Sequence, residues 1–159
     1  MGEDNKQIIT PPNLLKSKVG PGKGIDPELV ARAELAVAGM KSDYEKWVQD
    51  DITRLRDACN RIVSDTAGRK KHLIDLFQIS HDMKGQGGSF GYPLITLFCN
   101  SLCNFVEERA DVGDKEISVI RAHVDSVAAV ISQKIEADGG KLGQAIANGL
   151  EAAVAKYKG

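Results

Sequence analysis

Residues His81 to Gly91 read HDMKGQGGSFG, a histidine and a lysine one helical turn apart followed by Gly85, Gly87, Gly88 and Gly91. Two structures suit such a stretch. It is either a glycine-rich loop that wraps a nucleotide, or a helix that tolerates glycine so that something can approach the imidazole. The loop fails on spacing. A dinucleotide fingerprint G-x-G-x-x-G begun at Gly85 requires glycine where the chain has Phe90, and no strand precedes it. The V-A-I-K, H-R-D and D-F-G elements of a protein kinase and the terminal G-K-S/T of a P-loop are absent.

The helix is supported from outside the stretch. Leu73, Leu76, Phe77, Ser80, Met83, Gly87 and Phe90 recur at three- and four-residue steps, so a helical period begun at Arg69 continues through the glycines. Each interior glycine costs a helix about 1 kcal/mol relative to alanine. Gly85, Gly87 and Gly88 therefore need an offset in packing or in function, or else the helix ends at Gly85. At roughly 100° per residue the core stripe centres near Leu73, Ser80 and Gly87, which directs Gly87 inward, toward a neighbouring helix. His81 falls about a quarter-turn away, at the edge of that stripe. Ile74, Phe77, Lys84, Gly85 and Gly88 share this edge. The patch combines an imidazole, a cation, two apolar side chains and two positions without a side chain.

The remaining segments extend the same pattern. Residues 1–25 carry three prolines and four glycines with little periodicity, the composition of an extended or flexible arm. Asp26-Pro27 is a helix-start signal, and a short helix is expected to about Met40. From Asp43 the positions Tyr44, Trp47, Val48, Leu55, Cys59, Ile62 and Thr66 predict a long amphipathic helix that Gly68 ends, with Trp47 in the core. Pro93 opens a helix that is apolar on two sides, Asp111–Asp114 forms a turn, and Ile117, Ile120, Val124, Val127, Ile131 and Ile135 make a regular seam. Gly139-Gly140 precedes a last helix on Leu142, Ile146, Leu150, Ala153 and Tyr157. With no convincing alternating strand, the expected fold is all-α: an antiparallel up-down four-helix bundle with extra short N- and C-terminal helices. Its domain is residues 26–159, with the bundle core at about 43–136.

Composition narrows the function. The 159 residues are 42% hydrophobic and 27% charged with a net charge of −1, the balance of one ordinary globular domain and no basic field for nucleic acid. The uncharged run from Gly85 to Val106 is too polar in its first half for a membrane span of about 20 residues. Three cysteines without a framework spacing, and no signal-like N-terminus, suggest the cytoplasm. Cys99 and Cys103 share a face, but no companion histidine or second cysteine pair completes a zinc site, so buried thiols and no metal are expected. His72 and His123 have polar or charged neighbours and are taken as surface residues. Asp50, Asp51, Arg54, Arg56 and Asp57 mark a solvated face.

His81-Asp-Met-Lys84-Gly85, with Gly91 ten residues after the histidine, resembles the H-x-x-K-G signature of histidine phosphotransfer (HPt) domains of two-component phosphorelays. The likeness extends through the helix of Leu94–Glu107. The resemblance implies a four-helix bundle with a phosphorylated histidine facing outward from its second bundle helix. It makes His81 the phosphoryl acceptor, Lys84 the neutralising charge, and Gly85 and Gly88 the clearance beside the ring. Ile74, Phe77, Gln78 and Gln86 become the partner-binding residues. Gln86 departs from the small residue common after Lys-Gly. A polar group of the next helix, Asn100 or Asn104, would orient the ring, although Cys103 sits near the expected spot. The implied partners are response-regulator receiver domains and a hybrid sensor histidine kinase. Mg²⁺ is expected on the receiver and no cofactor on this chain, a monomeric relay rather than an enzyme. Neutral imidazole is nucleophilic at ordinary pH, so such a site needs no catalytic triad. The alternatives are a docking adaptor whose histidine is never phosphorylated and a small histidine-cysteine metalloprotein.

Overall fold

The computed structural model describes residues 24, 26–107 and 109–157. The expected N-terminal arm lies outside them except for Gly24. Five α-helices account for the regular structure, and no strand occurs among the described residues. They are α1 (Pro27–Ser64), α2 (Arg69–Gly87), α3 (Pro93–Val106), α4 (Asp114–Ser132) and α5 (Gly140–Lys156), with a 3-10 turn at Gly88–Phe90.

The chain divides between Val37 and Ala38 into two units. In the first, Asp26 starts α1 as its sequence requires: its carboxylate accepts the Glu28 N–H at 3.0 Å and its carbonyl the Val30 N–H at 3.1 Å. The short helix expected to stop near Met40 does not exist separately. It is the opening of a single 38-residue helix. Lys41-Ser42-Asp43 contains neither glycine nor proline, so a loss of periodicity there does not break the backbone hydrogen-bond ladder.

The second unit holds one apolar core. Tyr44, Val48, Ile52, Leu55, Cys59 and Ile62 supply the buried face of α1. Trp47 does not join them: it is 60% exposed, at the flank of the face that Tyr44 and Val48 define. Helix α3 lies at the centre, buried on two sides, packing against α2, α4 and α5. Helix α4 carries the expected seam through Ile131 and ends at Ser132. Ile135 is held by its N–H bond to the Val130 carbonyl at 2.8 Å. Helix α5 buries only Gly143 and Leu150 fully, so it covers the core instead of entering it.

Two connections are tight. α1 stops at Ser64, short of Thr66, and the turn is tied by the Gly68 N–H to the Asp65 carboxylate at 2.9 Å and by Asp65 to His72 at 2.9 Å. Between α4 and α5, Lys134, Ala137, Gly139 and Gly140 all have positive φ, between 49° and 65°. The Ala137 N–H donates to the Gly91 carbonyl at 3.1 Å, joining this connection to the end of the glycine-rich stretch.

His123 reverses its expected place. It is fully buried, with Nδ1 2.8 Å from the Val119 carbonyl and Nε2 2.9 Å from Ser101 Oγ. Its charged neighbours Arg121 and Asp125 are exposed, but residue 123 stands one turn from both Ile120 and Val127 on the seam itself.

Candidate functional site

α2 continues through Lys84 and Gly85 to Gly87 and then tightens into the 3-10 turn. The reason lies on α3. A Cβ at Gly87 would stand 2.9 Å from both Ile95 Cβ and the Tyr92 carbonyl and 3.0 Å from the Thr96 nitrogen, so glycine lets the start of α3 close onto α2. Thr96 completes the junction: its hydroxyl donates to the Lys84 carbonyl at 2.9 Å and accepts the Gly88 N–H at 2.9 Å. In a regular helix those two backbone groups would bond each other; here the threonine stands between them. Gly91 at φ 86° then turns the chain, and the Tyr92 N–H reaches back to the Gly87 carbonyl at 2.9 Å.

The other glycines face differently. Among the described residues a Cβ at Gly85 would meet nothing within 4 Å, and one at Gly88 only Thr96 Oγ1 at 3.6 Å. His81 is on the same side of the helix with 54% of its side chain exposed. Its ring lies against Phe77, the centroids 6.0 Å apart and the planes 26° from parallel. Asp82 stands with Oδ1 4.0 Å from His81 Nδ1 and accepts the Gln78 amide at 3.1 Å, which directs that carboxylate along the helix. Gln78 and Gln86 are exposed and Lys84 is half-buried. Ile74 is 59% exposed and borders, with Phe77, an apolar groove of ≈ 360 Å³ that runs to Val106 and Arg109.

The structure thus brings His81, Lys84, Gly85 and the Ile74–Phe77 pair to one side of α2. No residue of α3 is hydrogen-bonded to the His81 ring among the described residues. Asn100 and Asn104 are exposed, and Asn104 lines a different groove, facing α5. Cys103 takes the position opposite Phe77, its thiol 3.8 Å from the Phe77 carbonyl. Burial raises the pKa of that thiol, and the nearby Lys84 charge opposes the rise. Thr96 escaped the sequence reasoning; its signal was a polar residue between Ile95 and Leu97 in an otherwise apolar stretch.

The other candidates are structural in their surroundings. His72 is almost covered and tied to Asp65, whose carboxyl is held low chiefly by that bond and by the Gly68 N–H. All three cysteines are free and buried, and burial pushes the Cys99 thiol up to about 12, which disfavours the thiolate a metal would need. No group of three or more metal-ligating side chains forms among the described residues. No described helix is long and apolar enough to cross a membrane. No family model, curated protein or solved structure matches the chain.

Proposed function

We propose that this protein relays a phosphoryl group between receiver-domain aspartates, with His81 as the transient carrier. In this reading α1 from Tyr44 onward, α2, α3 and α4 are the four helices of an antiparallel HPt-type bundle, and α5 is an added cover. The observation that carries the proposal is an exposed imidazole at the H-x-x-K-G position with a bare helix edge one turn beyond it.

The chemistry follows from the side chains. His81 Nε2 attacks the phosphorus of an aspartyl phosphate, the N–P bond forms as the P–O bond to the aspartate breaks, and the aspartate leaves as a carboxylate. The return step reverses this. Transfer of this kind proceeds through a loose, in-line transition state, so catalysis consists mainly of positioning and charge neutralisation. Phe77 restricts the ring by contact, Lys84 supplies a positive charge one turn on, and the space over Gly85 admits the phosphoryl group and the partner's backbone. Ile74, Phe77, Gln78 and Gln86 make the surface on which a receiver sits. The receiver brings the aspartate and its Mg²⁺, and a hybrid sensor kinase is the upstream source. The chain acts as a cytoplasmic, monomeric relay without a resident cofactor.

The test is transfer from a phosphorylated receiver in Mg²⁺. The protein is expected to acquire acid-labile, base-stable phosphate, and His81→Gln to abolish it. Labelling of the His81→Gln protein at the parent's rate would refute the assignment. Receiver binding without any labelling would make the protein a docking adaptor.

A further inference from the structure

A second groove, of ≈ 460 Å³, lies between α3 and the covering helix α5, away from His81. Its volume is in the range of about 300–1,000 Å³ typical of small-molecule sites. Leu97, Phe98, Leu150 and Val154 give it apolar walls, and Glu151 is the only charged residue on its lining among the described residues. Helix α5 is pinned at both ends of this gap. Gly143 is buried against α3 near one end, where a Cβ would stand 3.0 Å from Leu94 Cδ1, and Arg109 donates to the Tyr157 carbonyl at 3.0 Å at the other. The groove is therefore a standing feature between two anchors. Arg109, the nearby cation, is spent on the Phe105 and Tyr157 carbonyls and the Phe105 ring.

The polarity of the groove follows from His123. A backbone carbonyl only accepts, so the ring nitrogen facing Val119 carries the proton and Nε2 is the acceptor. Ser101 must then donate its hydroxyl hydrogen to Nε2, and the Ser101 oxygen is left with acceptor lone pairs alone. Burial pushes the imidazole pKa below its ordinary value and so favours the neutral ring that this arrangement requires. Ser101 and Glu151 are both lining residues of the groove. A buried histidine on α4 thus fixes the Ser101 oxygen as an acceptor, and Glu151 on α5 brings a negatively charged residue to the same groove.

We propose that this groove binds a small primary amine on an apolar body, an arylalkylamine in chemical class, with the ammonium held by Glu151 and Ser101 and the hydrocarbon between Leu97, Phe98 and Leu150. An exposed ion pair alone contributes little. Here the apolar walls remove water from one side of it, and two acceptors match the several donors of one ammonium. This site is independent of the phosphoryl relay.

The test uses naphthylethylamine, and naphthylacetate as the same ring with opposite charge, titrated into the full chain with methyl resonances observed. Saturable shifts at Leu97, Leu150 and Val154 are expected for the amine, at about tenfold higher affinity than for the acid. Glu151→Gln, at an exposed position, is expected to cost about tenfold in amine affinity and to erase the preference. Ala147→Trp, which fills the groove from α5, is expected to abolish binding, and His81→Gln to leave it unchanged. Equal affinity for amine and acid, absence of saturation, shifts confined to other surfaces, or an unaltered Glu151→Gln protein would each overturn the proposal.

Discussion

Replacing Gly87 by alanine tests whether the glycines after His81 serve packing or access. Gly87 has helical backbone angles, φ −52° and ψ −48°, so alanine suits the backbone and would recover about 1 kcal/mol of helix propensity in open space. The added methyl group, however, meets Ile95 Cβ and the Tyr92 carbonyl at 2.9 Å and the Thr96 nitrogen at 3.0 Å. Two of these are backbone atoms at the start of α3, and the third is a core Cβ, so none can swing aside. Relief requires α2 and α3 to separate, and overpacking of this sort costs about 1–3 kcal/mol. Separation also lengthens both Thr96 hydrogen bonds, adding about 1 kcal/mol. The expected net loss is about 1–3 kcal/mol, or about 2–12 °C in melting temperature for a chain of this size. Gly85→Ala is the matched control. Its methyl group meets nothing within 4 Å, so it should gain up to about 1 kcal/mol. Urea unfolding of both variants and the parent, followed by circular dichroism, measures the difference. A Gly87→Ala protein as stable as the parent would refute the close approach of α3 to α2 at Gly87.

Lys84→Ala is expected to slow phosphoryl transfer to His81 by about tenfold while receiver affinity changes less, measured by rapid quench beside calorimetry; an unchanged rate would remove Lys84 from the site. Burial holds His123 below the ordinary imidazole value of about 6.5, so the unfolded chain binds the extra proton first as pH falls. Its contribution is therefore complete above about pH 6.5 and is lost as pH drops toward the folded value; urea midpoints against pH should show this loss in the parent and not in His123→Gln. The Tyr44 hydroxyl is buried without a partner among the described residues, and Tyr44→Phe should raise stability by about 1 kcal/mol on thermal unfolding. Ala137 sits at φ 53°, where a Cβ is crowded, and Ala137→Gly should raise the urea midpoint by an amount equivalent to about 0.5–1 kcal/mol.

Helix identity was legible wherever the signal was local. The period through Leu73, Leu76, Ser80, Met83 and Gly87 was enough to carry α2 through Gly85, and the same angle directed Gly87 inward and His81 to the edge. Pro93 and the seam of α4 marked their helices for the same reason: capping and periodicity act within one or two turns. Boundaries lacking such a signal were lost. The run Lys41-Ser42-Asp43 weakens the apolar pattern without breaking the backbone, and α1 passes through it.

Periodicity assigns a residue an angle on its helix, and tertiary structure decides whether that angle meets protein or water. Trp47 and His123 show the two outcomes: a large apolar ring beside the α1 stripe is left exposed, while an imidazole between charged neighbours is buried because Ser101, on another helix, satisfies its second nitrogen. Thr96 and the α3–α5 groove depend in the same way on partners distant in sequence. The chain by itself determined that it is helical, where proline or a strong seam marks a helix, and that His81 lies beside an edge of bare glycine. Only the folded chain decided which helix closes on Gly87, what His123 bonds to, and where a gap remains under α5, since each is set by the separation of two helices, a distance that no residue specifies alone.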